Sequence, residues 1–107
     1  MERINLVYIH SHDVGRYISP FGYKMDTPCL QQLAESGMLF RNMHCAAPSC
    51  SPSRAAMLTG MYAHCSGMYG LVNRGFELEK KECHLAPWLS CNGYKTILAG
   101  TQHVVKD

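Results

Sequence analysis

Hydrophobic positions along the chain fall into short blocks separated by polar and glycine-bearing breaks. Residues Ile4 to Ile9 form a nearly continuous apolar, β-branched run, the pattern of a strand buried on both faces, as in a parallel sheet. It gives way to the polar cluster His10-Ser11-His12-Asp13 and then to Gly15. Thr27-Pro28 supplies a hydroxyl N-cap and a proline at the first helical position, and Leu30, Leu33 and Ala34 continue an amphipathic helix that stops at Gly37. Alternation from Met38 to His44 predicts a second strand, broken by Ala46-Ala47-Pro48-Ser49. The stretch Ser51 to Thr59 is rich in helix formers, tolerates Pro52 in its first turn and meets Gly60 as its C-cap, which puts Cys50 at a helix N-terminus. Between Met61 and Glu82, periodicity fades around Gly67, Gly70 and Gly75, and an irregular connection able to line a pocket is expected. Leu85, Trp88 and Leu89 predict a third helix with Pro87 near its start and Gly93 after its end, and Tyr94 to Leu98 a last buried strand that opens at Gly100 into Thr101-Gln102-His103.

The resulting order, strand, helix, strand, helix, helix, strand, predicts an α/β layered domain with a mostly parallel sheet flanked by helices, spanning 1–107. Ligands in such sheets gather at the carboxyl ends of strands. Three polar clusters fall at or just beyond those ends: His10 to Asp13, Ser49 to Arg54, and Thr101 to His103. That coincidence points to a functional site without reference to any known protein.

Composition narrows the partners. With 47% hydrophobic residues the 107-residue chain has an ordinary globular make-up, and ten Lys and Arg against eight Asp and Glu leave a net charge of +2. The basic residues are scattered singly, so nucleic acid is not an expected partner. The apolar run at the N-terminus is too short for a signal segment or a membrane span, so the chain as given is expected to be cytoplasmic or to have lost an export signal, with no membrane partner. Cys29, Cys45, Cys50, Cys65, Cys83 and Cys91 lack the tight spacing of a disulfide scaffold and read as reduced thiols.

The chemistry concentrates at position 50. A cysteine at a helix N-terminus with Arg54 one turn later experiences the helix dipole and a guanidinium, a combination that favours a thiolate or a bound anion. On these residues alone, a reactive cysteine, an oxyanion site and a buried small hydrophobe beside an Arg all remain open. The Cys-to-Arg interval is too short for a phosphate-binding loop of the cysteine phosphatase kind, and such loops prefer glycines to Pro52.

The string Cys50-Ser51-Pro52-Ser53-Arg54-Ala55-Ala56-Met57-Leu58-Thr59-Gly60 resembles the signature of the sulfatase family, Cys-x-Pro-x-Arg with a Leu-Thr-Gly ending. The likeness extends over essentially the whole chain: Asn5 to Gly15 is similar to the family's first strand and metal loop, Thr27-Pro28 to Phe40 to its first helix and next strand, and Gly93-Tyr94-Lys95-Thr96 to His103 to a later strand and catalytic histidine. Gly67-Met68-Tyr69-Gly70-Leu71, with the signature, resembles the heparan N-sulfatase branch and its bacterial relatives.

The resemblance implies an alkaline phosphatase-like α/β fold and hydrolysis of sulfate esters or sulfamates. It implies that a formylglycine-generating enzyme oxidises Cys50 to formylglycine, whose hydrated aldehyde carries the two hydroxyls that attack sulfur and then expel sulfate. It further implies Cys50, Arg54 and His103 as catalytic residues. Asp13, His12 and the modified Cys50 would bind Ca2+ or another divalent cation, and His64 and Thr101 would face a sulfated small molecule or carbohydrate. Related readings are a formylglycine-dependent phosphonate or phosphodiester hydrolase, and a non-catalytic fragment or degenerate homologue that only folds or binds an oxyanion.

Two positions depart from the family pattern. His12-Asp13 replaces the usual pair of adjacent aspartates, so His12 ligates a more nitrogen-tolerant metal, faces substrate or packs locally. Thr101 stands where many sulfatases have a lysine and cannot supply its charge. Sulfatases are several times longer than this chain and take further metal ligands from a later region. The chain is therefore expected to be an N-terminal portion, inactive by itself.

Overall fold

The computed structural model describes residues 4–106, so residues 1–3 and 107 of the expected domain lie outside the described part. The chain divides between Met43 and His44 into two compact units. No described helix is long and apolar enough to cross a membrane.

In the first unit, α1 runs over Pro28–Ser36 with Thr27 at its N-cap position, Pro28 in its first turn and Gly37 at its end, as the sequence predicts. The Thr27 hydroxyl does not cap the helix. It accepts instead from the Ser19 amide at 3.1 Å and shares a 2.7 Å hydrogen bond with the Ser19 hydroxyl, tying α1 to a 3-10 turn at Ser19–Phe21. Ser36 Oγ bonds back to the Gln32 and Leu33 carbonyls, a competing interaction that suits the last turn of a helix.

In the second unit, α2 spans Cys50–Thr59 and closes at Gly60, whose left-handed φ of 70° lets its N–H reach the Ala56 carbonyl at 2.8 Å. α3 is a single turn, Ala63–Ser66, and α4 covers Leu85–Cys91. Two 3-10 turns, Val72–Arg74 and Lys81–Cys83, organise the connection that the sequence left irregular. Ala55, Met68, Leu78 and Val104 form the buried core, with Leu58, Val72 and Val105 packed against it. These four come from α2, from the stretch after α3, from the connection to α4 and from the segment after Gly100. The core thus fastens three distant parts of the chain around α2.

The expected strands are not formed. Residues 4–9, 38–44 and 94–98 carry no strand pairing, and the described residues contain no β-strand. Nor are the outer runs buried on both faces: Ile9 is 84% exposed and Ile97 is 80% exposed. A parallel strand satisfies its backbone through neighbours remote in sequence and its side chains through helices laid over both faces, and the described residues provide neither. Among the described residues the expected parallel sheet is therefore not formed, and these runs connect the helices as largely exposed, irregular backbone.

The six cysteines are free thiols, and Cys50 alone among them is partly buried.

Candidate functional site

Cys50 is the first residue of α2. Its predecessor Ser49 has the extended backbone of an N-cap, yet its side chain makes no capping bond; its carbonyl accepts from Ser53 N at 3.0 Å. Pro52 has no N–H to satisfy in the first turn, where an intrahelical partner would be missing anyway. Ser51 is buried and turns its hydroxyl to the Val72 amide at 3.4 Å, while Pro52, Ala55 and Ala56 are also buried. The inward face of α2 is therefore locked into the core, and Cys50 is left at the rim of the helix, half-buried.

Arg54 lies one turn further along α2. Its Nη1 donates to the Thr101 carbonyl at 2.8 Å, bridging the helix to the segment that carries His103. Its Nε is buried and has no hydrogen-bond partner among the described residues. A buried donor without an acceptor is costly, and here it belongs to a cation one turn from Cys50.

His103 is half-buried, and its neighbour Val104 belongs to the core. Cys50 Sγ and a ring nitrogen of His103 lie within 4.8 Å of one another. His103 adopts a φ of 57°, one of two non-glycine residues in the left-handed region among those described; the other is Asp13. Such conformations are uncommon outside glycine, though Asp and His are enriched among them, and they concentrate at functional sites.

In the first unit, His12 Nδ1 and Asp13 Oδ2 are 2.8 Å apart, both side chains well exposed. Local pairing is thus part of what His12 does. A calcium ion takes roughly six to eight oxygen ligands, and the segment from His10 to Asp13 offers a single carboxylate. By this donor set, His12 and Asp13 do not make a calcium shell by themselves.

His64 is exposed and stacks on Tyr62 with ring centroids 5.7 Å apart and planes 6° from parallel, while its carbonyl accepts from the Tyr69 hydroxyl at 3.2 Å. Thr101 is exposed, and its contribution to the described geometry is the carbonyl that receives Arg54. The second unit therefore brings Cys50, Arg54, Thr101 and His103 into one neighbourhood around the start of α2.

Gln102 and His84 escaped the sequence reading as participants. Gln102 sits inside the Thr101-Gln102-His103 cluster, but nothing in its spacing signals that its amide folds back onto the backbone. His84 is half-buried just before α4: its Nδ1 accepts from the Ala86 amide at 3.0 Å as the N-cap of that helix, and burial lowers its pKa.

Comparison with known proteins adds an independent line. The Sulfatase family model matches residues 4–106. The chain is 44% identical over 80 residues to human N-sulphoglucosamine sulphohydrolase, covering 73% of this chain and 16% of that protein. It is 38% identical over 80 residues to an ulvan-active sulfatase of Formosa agariphila, covering 74% of this chain and 13% of that protein. Human arylsulfatase A is 37% identical over 106 residues, covering 94% of this chain and 21% of that protein. The chain thus spans a minor part of the length of the curated relatives it matches. No solved structure gives a significant match.

Proposed function

The chain belongs to the sulfatase family, and we propose that it serves hydrolysis of sulfate esters or sulfamates, with Cys50 converted to formylglycine as the nucleophile. The observation that carries this reading is the setting of Cys50: first in α2, one turn from Arg54, with a His103 ring nitrogen within 4.8 Å of its sulfur.

A hydrated aldehyde at position 50 supplies a hydroxyl to attack sulfur and a second to release sulfate. The chain's own residues prepare the place. The start of α2 leaves backbone N–H groups at the positive end of a helix dipole without a side-chain cap, a setting that favours an anion such as sulfate. Arg54 adds a fixed positive charge, and its unpartnered Nε is a donor that an oxygen introduced at position 50 can take up. A ring nitrogen of His103 lies within 4.8 Å of the Cys50 sulfur, close enough for an imidazole to hold or pass the proton of a group reacting at position 50. The expected alkaline phosphatase-like α/β sheet belongs to this proposal. So do calcium or another divalent cation held partly by Asp13, a formylglycine-generating enzyme as maturation partner, and sulfated carbohydrate as substrate. His12 and Asp13 alone supply too few oxygens to complete a calcium shell.

The test is mass spectrometry of the peptide containing Cys50 after co-expression with a formylglycine-generating enzyme, combined with turnover of aryl sulfate and aryl phosphonate esters by the native protein. Conversion to the aldehyde and preference for the sulfate ester are expected. A thiol left unconverted at position 50, or faster phosphonate cleavage, would defeat the proposal.

A further inference from the structure

The geometry points to Gln102 as the positioning residue that holds His103 towards Cys50. Its side-chain amide makes three hydrogen bonds to the two residues beyond His103. Oε1 accepts from the Val104 amide at 2.6 Å and from the Val105 amide at 2.9 Å, and Nε2 donates to the Val105 carbonyl at 2.7 Å. The backbone between donor and acceptor is His103 itself, in the left-handed region with φ of 57°. That conformation is unfavourable for a non-glycine residue, and it persists only where the surroundings over-determine it.

The surroundings do so from three sides. Before His103, the Thr101 carbonyl is held by Arg54 Nη1. After it, Val104 is 2% exposed within the core, and its carbonyl accepts from Leu78 N at 2.9 Å. Across the turn, the Gln102 amide closes a small ring whose two acceptor bonds draw consecutive backbone N–H groups to one oxygen. Core packing of Val104 fixes where the segment runs, but not the direction in which the residue before it turns. The Gln102 bonds fix that direction, and with it the ring nitrogen that lies within 4.8 Å of Cys50 Sγ. A shorter or apolar side chain at 102 cannot bridge both amides and the carbonyl at once. The arrangement stands on geometry alone; only the value of aiming His103 at position 50 rests on the hydrolase reading.

The experiment uses NMR on the full chain with Cys50 unmodified, so it needs neither formylglycine nor a sulfate ester and fails independently of that reading. In the parent chain, the Val104 and Val105 amides are expected to exchange at least about tenfold more slowly than open amides, and an NOE is expected between the Cys50 β-protons and the His103 ring. Q102M keeps the length and removes all three bonds: the Cys50–His103 NOE is expected to vanish while NOEs among Ala55, Met68 and Leu78 persist. Q102E keeps the acceptor oxygen and is expected to retain the Cys50–His103 NOE. Open-chain exchange at Val104 and Val105 in the parent would overturn the proposal, as would a Q102M chain in which the His103 NOE survives. Core NOEs lost in step with the His103 NOE would equally overturn it, as the sign of a purely structural role. Should Q102M fail to fold, the parent exchange rates and Q102E decide, and loss of the His103 NOE in a folded Q102E chain counts against it.

Discussion

Truncating Met68 to alanine should come close to dissolving the second unit. Met68 is completely buried, and its companions in the core are Ala55, Leu78 and Val104. Burial of a side chain of this size is worth about 1.5–3 kcal/mol, and the cavity left by partial relaxation brings the cost of a Met-to-Ala change to about 2–5 kcal/mol. A unit of this length is stabilised by roughly 0.05–0.15 kcal/mol per residue, or about 3–10 kcal/mol in total. The substitution therefore removes a large share of that stability. With a urea slope of about 1 kcal/mol per molar for a small domain, the midpoint read from helical ellipticity is expected to fall by about 2 M or more. Met68→Leu conserves volume and should cost under about 1.5 kcal/mol. A Met68→Ala midpoint within about 0.5 M of the parent would show that this cluster is not what holds α2 in place, and the argument for an anchored Cys50 would fall with it.

Two further outcomes are expected. At Gly60 an added Cβ meets nothing within 4 Å, so Gly60→Ala isolates the backbone cost of the left-handed cap; a loss of about 1 kcal/mol is expected in urea melts, with Gly60→Asn losing less. His84 caps α4 through a neutral Nδ1, and burial holds its pKa below the ordinary value, so the unfolded chain takes up the proton first. Stability from this group is whole above about pH 6.5 and is lost as pH falls through that value towards the lowered folded pKa. His84→Asn retains a capping acceptor and does not titrate; melting temperatures measured across pH 5 to 8 should lose part of their slope, and an unchanged slope would refute the assignment.

What the sequence revealed follows from how local each signal is. The helices were legible because their determinants lie within one or two turns: Pro28 and Gly37 bound α1, and Gly60 ends α2 where predicted. The irregular stretch after α2 was legible as irregular, but not its two 3-10 turns, which depend on contacts such as Glu79 N to the Ser66 carbonyl at 3.3 Å. The apolar runs at residues 4–9 and 94–98 have the composition of buried strands. Composition does not supply the neighbour that makes a strand, and among the described residues none pairs with them. Within the candidate site, Cys50, Arg54 and His103 were found from motif and helix position. The sequence points to the Thr101 side chain, and the structure adds the hydrogen bond that its carbonyl accepts from Arg54; Gln102 leaves no signal, because a side chain that folds back onto its own backbone has no periodic trace.

The bare aliphatic stretch from Ile4 to Ile9 sets a practical limit on the chain. Ile4 and Val7 are more than three-quarters exposed in a segment without proline or charge, and such segments stack readily between molecules into cross-β ribbons. The shelf life of a concentrated sample will be governed by that colloidal tendency more than by the melting of α2, so two preparations with identical thermal transitions can differ widely in how long they remain clear.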